Sequence, residues 1–190
     1  MRIIDCTRAG YEPELAKIFN RPANPPEIDV SVREILGEVE RNGDAALAGF
    51  AEKFDRVKLT PEQFRVTDGE VSAAEARVSE EWKRAIKTAL AHVVSFAEQR
   101  IPRDWSYSPR PGVVLGERFV PMDRVGVYVP GGTAPLVSTV IHTAGIAGAA
   151  GVPEIVAVTP PDREGNVHPA VLYAMKAAGV TEIYRLGGVY

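Results

Sequence analysis

From Val125 onward the chain alternates between runs of branched apolar residues and helical stretches of small residues, and no other feature limits its fold so tightly. Val125–Val129 (VGVYV) is apolar without interruption, as a buried strand is. Pro130-Gly131-Gly132 ends it. Ala134–Ala150 predicts a helix, and Pro153–Thr159 (PEIVAVT) a second strand. Pro160-Pro161-Asp162 turns the chain into a second helix over Pro169–Ala178, with Gly179 as its stop. Thr181–Leu186 (TEIYRL) reads as a third strand. A β-α-β-α-β order implies parallel strands joined by crossovers.

The first 124 residues have a different texture. Val32, Ile35, Leu36 and Val39 recur at helical spacing within Ile28–Asn42, and Gly43 stops that helix. Leu47, Phe50, Ala51 and Phe54 repeat the pattern. Thr60-Pro61-Glu62-Gln63 reads as a turn or helix start, and Phe64–Thr67 as a short strand. Ser72–Gln99 predicts one or two helices with Trp82, Ala85, Ile86, Ala89, Leu90, Val93 and Phe96 on the apolar side. Ile101–Gly112 is rich in proline and aromatics and reads as an irregular connector, with Val113–Val120 extended after it. The expected fold class is therefore α/β, in two parts. Residues 1–124 form a mostly helical N-terminal region, and residues 125–190 an incomplete Rossmann-like β-α-β-α-β parallel sheet.

Composition narrows the partners. The net charge is -3 with no basic stripe, so nucleic acid is not expected. The single cysteine, Cys6, allows no internal disulfide and suits a reducing compartment. The N-terminus lacks the apolar core of a signal peptide, and glycine, proline and charge break the least polar stretch, Ala134–Val158. A cytoplasmic protein without a membrane span is expected.

In an open α/β sheet, ligands sit beyond the carboxyl ends of the strands, which is where the loop YVPGGTAPLVS lies. Gly131 and Gly132 would let backbone approach a ligand. The start of the following helix would present unpaired N–H groups to an anion. Tyr128 offers a flat ring for a base or ribose, and Ser138 and Thr139 offer hydroxyls. Two glycines after a strand also form ordinary tight turns. The loop is not G-x-G-x-x-G, and no acidic residue ends the second strand at the usual ribose position, so both readings stand.

The segment DRVGVYVPGGTAPLVS (Asp123–Ser138), with GVPEIVAVTPP after it and VREILGEVERNGDAALAGFAEKFD (Val32–Asp55) before it, closely resembles the histidinol dehydrogenase family. That resemblance implies NAD-dependent oxidation of L-histidinol to L-histidine, a catalytic zinc, and an intertwined homodimer of incomplete Rossmann-like domains. It assigns Tyr128 to NAD contact, and Gly131, Gly132 and Ser138 to the turn and helix start beside it.

The family pattern after Gly187-Gly188 is alanine then a glutamine that contacts NAD. Here those places hold Val189 and Tyr190. The family's zinc ligands and acid–base pair fall downstream of the region that this sequence covers. The expectation is a truncated homologue, inactive alone, with no catalytic or metal residues of its own. NAD is possible at a half-site, and zinc is not expected. His92, His142, His168 and Cys6 follow no ligand spacing. A homo-oligomer or a completing partner chain is expected, because the sheet would otherwise present an apolar edge after Thr181–Leu186. The alternative is a non-catalytic nucleotide-binding, regulatory or scaffold paralogue.

Overall fold

The computed structural model describes residues 3–20, 25–131 and 135–190. The parallel sheet forms as the alternation predicts. Its strands are β3 (Arg124–Tyr128), β4 (Glu154–Val158) and β5 (Glu182–Tyr184), side by side in that order. Register runs from Arg124 opposite Glu154 to Tyr128 opposite Val158, and from Val156 opposite Glu182 to Val158 opposite Tyr184.

The period-2 alternation of the strands separates two environments. Val125, Val127, Ile155, Ala157 and Ile183 join one apolar core with the crossover helices. The first crossover is α7 (Val137–Val140), a π turn over Ile141–Gly145, and α8 (Ile146–Ala149); the second is α9 (Pro169–Ala177). Six consecutive residues of α9, Ala170–Met175, are buried, because α5 (Asp68–Ala76) and α6 (Glu80–Glu98) cover its outer side. Small residues let α6 come close to the first crossover. A Cβ on Gly145 would stand 2.7 Å from Leu90 Cδ1. On the opposite face, Val158 and Tyr184 pack against Ala51, Val57, Leu59, Phe64 and Leu186.

The N-terminal helices start where capping chemistry directs them. Of the one or two helices expected over Ser72–Gln99, the structure has two, parted at Arg77-Val78-Ser79. The Ser79 hydroxyl caps α6 by accepting the Trp82 N–H at 3.3 Å. A reciprocal capping box between Thr67 and Glu70 opens α5. A second box, between Thr60 and Gln63, opens α4 (Pro61–Phe64). Before them run α1 (Glu12–Phe19), α2 (Pro26–Asn42) and α3 (Asp44–Phe50), the last continuing into a π turn over Ala51–Asp55.

Two expectations change. The stretch expected to be an irregular connector contains β1 (Trp105–Arg110), which pairs antiparallel with β2 (Val113–Glu117). Proline obscured it, since Pro109 has no N–H to give to a ladder; the register shifts between Tyr107 and Arg110 to pass it. The outer edge of β5 is also not open. Of the expected strand Phe64–Thr67, only Arg65 pairs, forming an antiparallel bridge with Tyr184. The Val66 N–H donates to Ile183 O at 2.9 Å, and the Arg185 N–H to Phe64 O at 2.8 Å. Among the described residues the unpaired edge belongs to β3 instead. No helix among them is long and apolar enough to cross a membrane.

Candidate functional site

The carboxyl ends of β3, β4 and β5 meet around Pro160. A Cβ on Gly131 would stand 2.4 Å from Pro160 Cγ, and one on Gly187 would stand 2.9 Å from Pro160 Cβ and 2.7 Å from Asp55 Oδ2. Both positions therefore demand glycine for packing. Gly131 is explained by the Pro160 ring, whatever else approaches it.

A cleft of about 1360 Å³ opens beside this junction. Its floor is the loop after β3 (Pro130, Gly131) and the loop after β4 (Thr159–Asp162). One wall is the turn between α5 and α6, with Arg77, Ser79 and Trp82; another is the start of α9, with His168. Phe54, Asp55 and Arg56 close the third side.

The charges lining the cleft are unequally engaged. Asp162 is tied into its own turn, Oδ1 accepting the N–H groups of Glu164 at 3.0 Å and Asn166 at 2.7 Å. Asp55 accepts the Tyr190 hydroxyl. By contrast Arg56, Arg77 and Arg163 make no ion pair or side-chain hydrogen bond among the described residues. Arg56 also holds a left-handed backbone, φ 60 and ψ 33, which non-glycine residues adopt uncommonly. The cleft thus presents three unpaired guanidinium groups on a chain of net charge -3.

The sequence-derived site residues divide around this cleft. Gly131 lines it. Tyr128 and Ser138 are exposed and do not line it. Gly132 lies outside the described residues. Tyr190 packs its ring beside Phe50 and Phe54, with centroids 5.6 and 6.1 Å away. Burial, then the bond to Asp55, pushes its phenol well above the usual tyrosine range, and Tyr128 adds a weaker push in the same direction. Periodicity and motif gave no sign of Arg56, Arg77 or Trp82 as neighbours, because they come from turns and helix ends that only packing brings together. Arg163 had a signal that could have been used, its place just beyond the second strand.

Residues 20–190 match the family profile of histidinol dehydrogenase. The chain belongs to the histidinol dehydrogenase family. It is 44% identical over 163 residues to histidinol dehydrogenase of Symbiobacterium thermophilum, covering 86% of this chain and 37% of that one. With histidinol dehydrogenase 2 of Nostoc sp. it shares 42% over 190 residues, covering 99% and 44%. The crystal structure of histidinol dehydrogenase from Elizabethkingia anophelis superposes with a TM-score of 0.84 at 33% identity, covering 93% of this chain and 41% of that one. The chain spans less than half the length of these histidinol dehydrogenases.

The zinc implied by the family resemblance finds no donor set here. Among the described residues, no three His, Cys, Asp or Glu side chains converge. His168 caps α9, its Nδ1 accepting the Ala170 N–H at 3.2 Å. His142 is exposed, and lines an apolar groove with His92 between α6 and α8. Cys6 is exposed.

Proposed function

We propose that this chain supplies a nucleotide-binding half-site of the histidinol dehydrogenase type, and that it does not oxidise histidinol alone. The observation that supports this most directly is that the loops after two neighbouring parallel strands, β3 and β4, form the floor of one cleft, in a chain of that family. Parallel sheets bind nucleotides at this place. NAD, when bound, accepts hydride from the alcohol. Of the residues that the family resemblance assigns to NAD, Gly131 lines the cleft and would let the loop approach the nucleotide, while the exposed Tyr128 ring and Ser138 hydroxyl would contact it from outside the cleft. No proton or metal step is assigned to these residues.

Completion of the site falls to further polypeptide, in a second copy or a partner chain. The unpaired edge of β3 supports such an association. So does the β1–β2 hairpin, whose Trp105, Tyr107, Val114 and Leu115 are exposed although an isolated two-stranded hairpin is marginally stable. A cytoplasmic location is part of the same proposal.

Calorimetric titration with NAD tests it, using the chain and its Tyr128→Ala variant. Heat of binding that weakens at least tenfold in the variant supports the half-site. No binding by the intact chain overturns it, and leaves the non-catalytic scaffold reading.

A further inference from the structure

In dinucleotide folds, a carboxylate just beyond the second strand bonds the 2′-hydroxyl of the adenosine ribose. The second strand of the parallel sheet here is β4, and Thr159, Pro160 and Pro161 follow it directly. The two carboxylates farther along that loop are placed otherwise. Asp162 is tied to its own turn, where Oδ1 holds the N–H groups of Glu164 and Asn166. Glu164, next to Arg163, is exposed and does not line the cleft. A carboxylate reaches the place from a distant segment instead. Asp55 ends the π turn after α3, is half-buried, and lines the cleft. A Cβ on Gly187 would stand 2.7 and 2.9 Å from its two oxygens and 2.9 Å from Pro160 Cβ. The Asp55 carboxylate and the Pro160 ring therefore flank one glycine, at the end of β4. The Tyr190 hydroxyl donates to Oδ2. Among the described residues Asp55 makes no ion pair, and its Oδ1 has no hydrogen-bond partner.

Resting on the nucleotide reading above, we propose that Asp55 is the ribose-binding carboxylate of this half-site, its Oδ1 accepting the 2′-hydroxyl of the adenosine ribose of NAD. The negative charge strengthens that bond and repels a phosphate in the same position, so Asp55 also sets a preference for NAD over NADP. Tyr190 is a positioning residue, orienting the carboxylate by holding Oδ2. The role that the usual fold gives to the second strand is thus carried by the helical N-terminal region.

The test is calorimetry of the full chain with NAD, with NADP, and with NAD lacking the adenosine 2′-hydroxyl. The expected result is about tenfold tighter binding of NAD than of either other ligand, the return of one hydrogen bond to a charged group. Asp55→Asn, which keeps an acceptor for the Tyr190 hydroxyl, should bring all three affinities within about threefold of one another. Tyr190→Phe should narrow the differences in the same direction. Asp162→Asn should leave them as they are. The ligand comparison on the unaltered chain stands whatever Asp55→Asn does to the fold. NAD and its 2′-deoxy form binding alike overturns this inference and spares the half-site. A preference that survives Asp55→Asn, or that is lost in Asp162→Asn instead, overturns the assignment to Asp55. Binding of none of the three ligands overturns the half-site and this inference together.

Discussion

Arg185, just past β5, bonds the carboxylate of Glu70 on α5 through Nη2 and the carbonyl of Gly165 through Nη1, the latter at 3.0 Å. One buried guanidinium thus ties the end of the sheet to a helix cap and to the loop after β4. Glu70 serves both partners, since it also accepts the Thr67 N–H at 2.8 Å. Arg185→Ala should destabilise the fold by about 2 kcal/mol. That is below the full cost of breaking a buried pair, because Glu70 is partly exposed. Urea unfolding measures it, and a midpoint unchanged from the parent would contradict the role.

The same pair sets an acid limit. Burial alone would raise the Glu70 carboxyl, but Arg185 and Thr67 together outweigh it and hold it below its ordinary 4.5. A depressed folded value means that the stability it gives is present above 4.5 and is lost as pH falls through the lower, folded value. Stability measured from pH 6 to about pH 3 should fall less steeply in Glu70→Gln than in the parent. Parallel profiles would show that Glu70 does not govern this range.

Tyr190 gives the opposite sign. Its phenol is raised above its ordinary 10.0 by burial and by Asp55. The stability it gives is present below pH 10 and is lost as pH rises towards the folded value. Tyr190→Phe keeps the ring beside Phe50 and Phe54 and loses only the hydroxyl. It should cost about 1 kcal/mol at neutral pH and flatten the alkaline decline. An unaltered alkaline profile would mean that the bond to Asp55 is not kept in solution.

Gly131→Ala places a methyl on the Pro160 ring, where the gap is 2.4 Å. A proline ring cannot swing aside, so the loop must move, at about 2 kcal/mol. Thermal unfolding should show this with no ligand present. A neutral substitution would mean that this glycine answers to something other than Pro160.

The core should respond in the ordinary way. Ile155, at 2% exposure, points from β4 into the helix-facing core. Ile155→Ala should cost about 3 kcal/mol in denaturant unfolding. A loss under 1 kcal/mol would place this strand at the surface.

Several elements were legible before any packing was known. The strands at Val125, Pro153 and Thr181 announced themselves because burial on the sheet faces requires runs of branched apolar residues, and two helices between them force a parallel arrangement. The α6 stripe was legible for its middle, Ile86, Leu90 and Val93, which meet the core. Its ends were not, since Trp82 at 50% and Phe96 at 67% exposure stand clear of it. Periodicity marks a helix face but not how far along that face the neighbour reaches. That Ser72–Gln99 could hold two helices was legible, but not where they part, because a serine such as Ser79 can cap a helix or sit within one. The β1 strand was hidden by its proline. Of the site, the loop after β3 was visible from its glycines, while Arg77 and Arg56 were not.

By itself the sequence determined the family and the α/β order of elements, because these depend on local periodicity, on turn residues and on a long motif. Tertiary structure decided what closes the sheet and what charges the cleft. Arg65 reaches the edge of β5, Pro160 imposes glycine at positions 131 and 187, and Arg77 and Arg163 face one cleft from distant parts of the chain. Each of these is a contact between segments far apart in sequence, and no local pattern encodes which distant side chain will arrive.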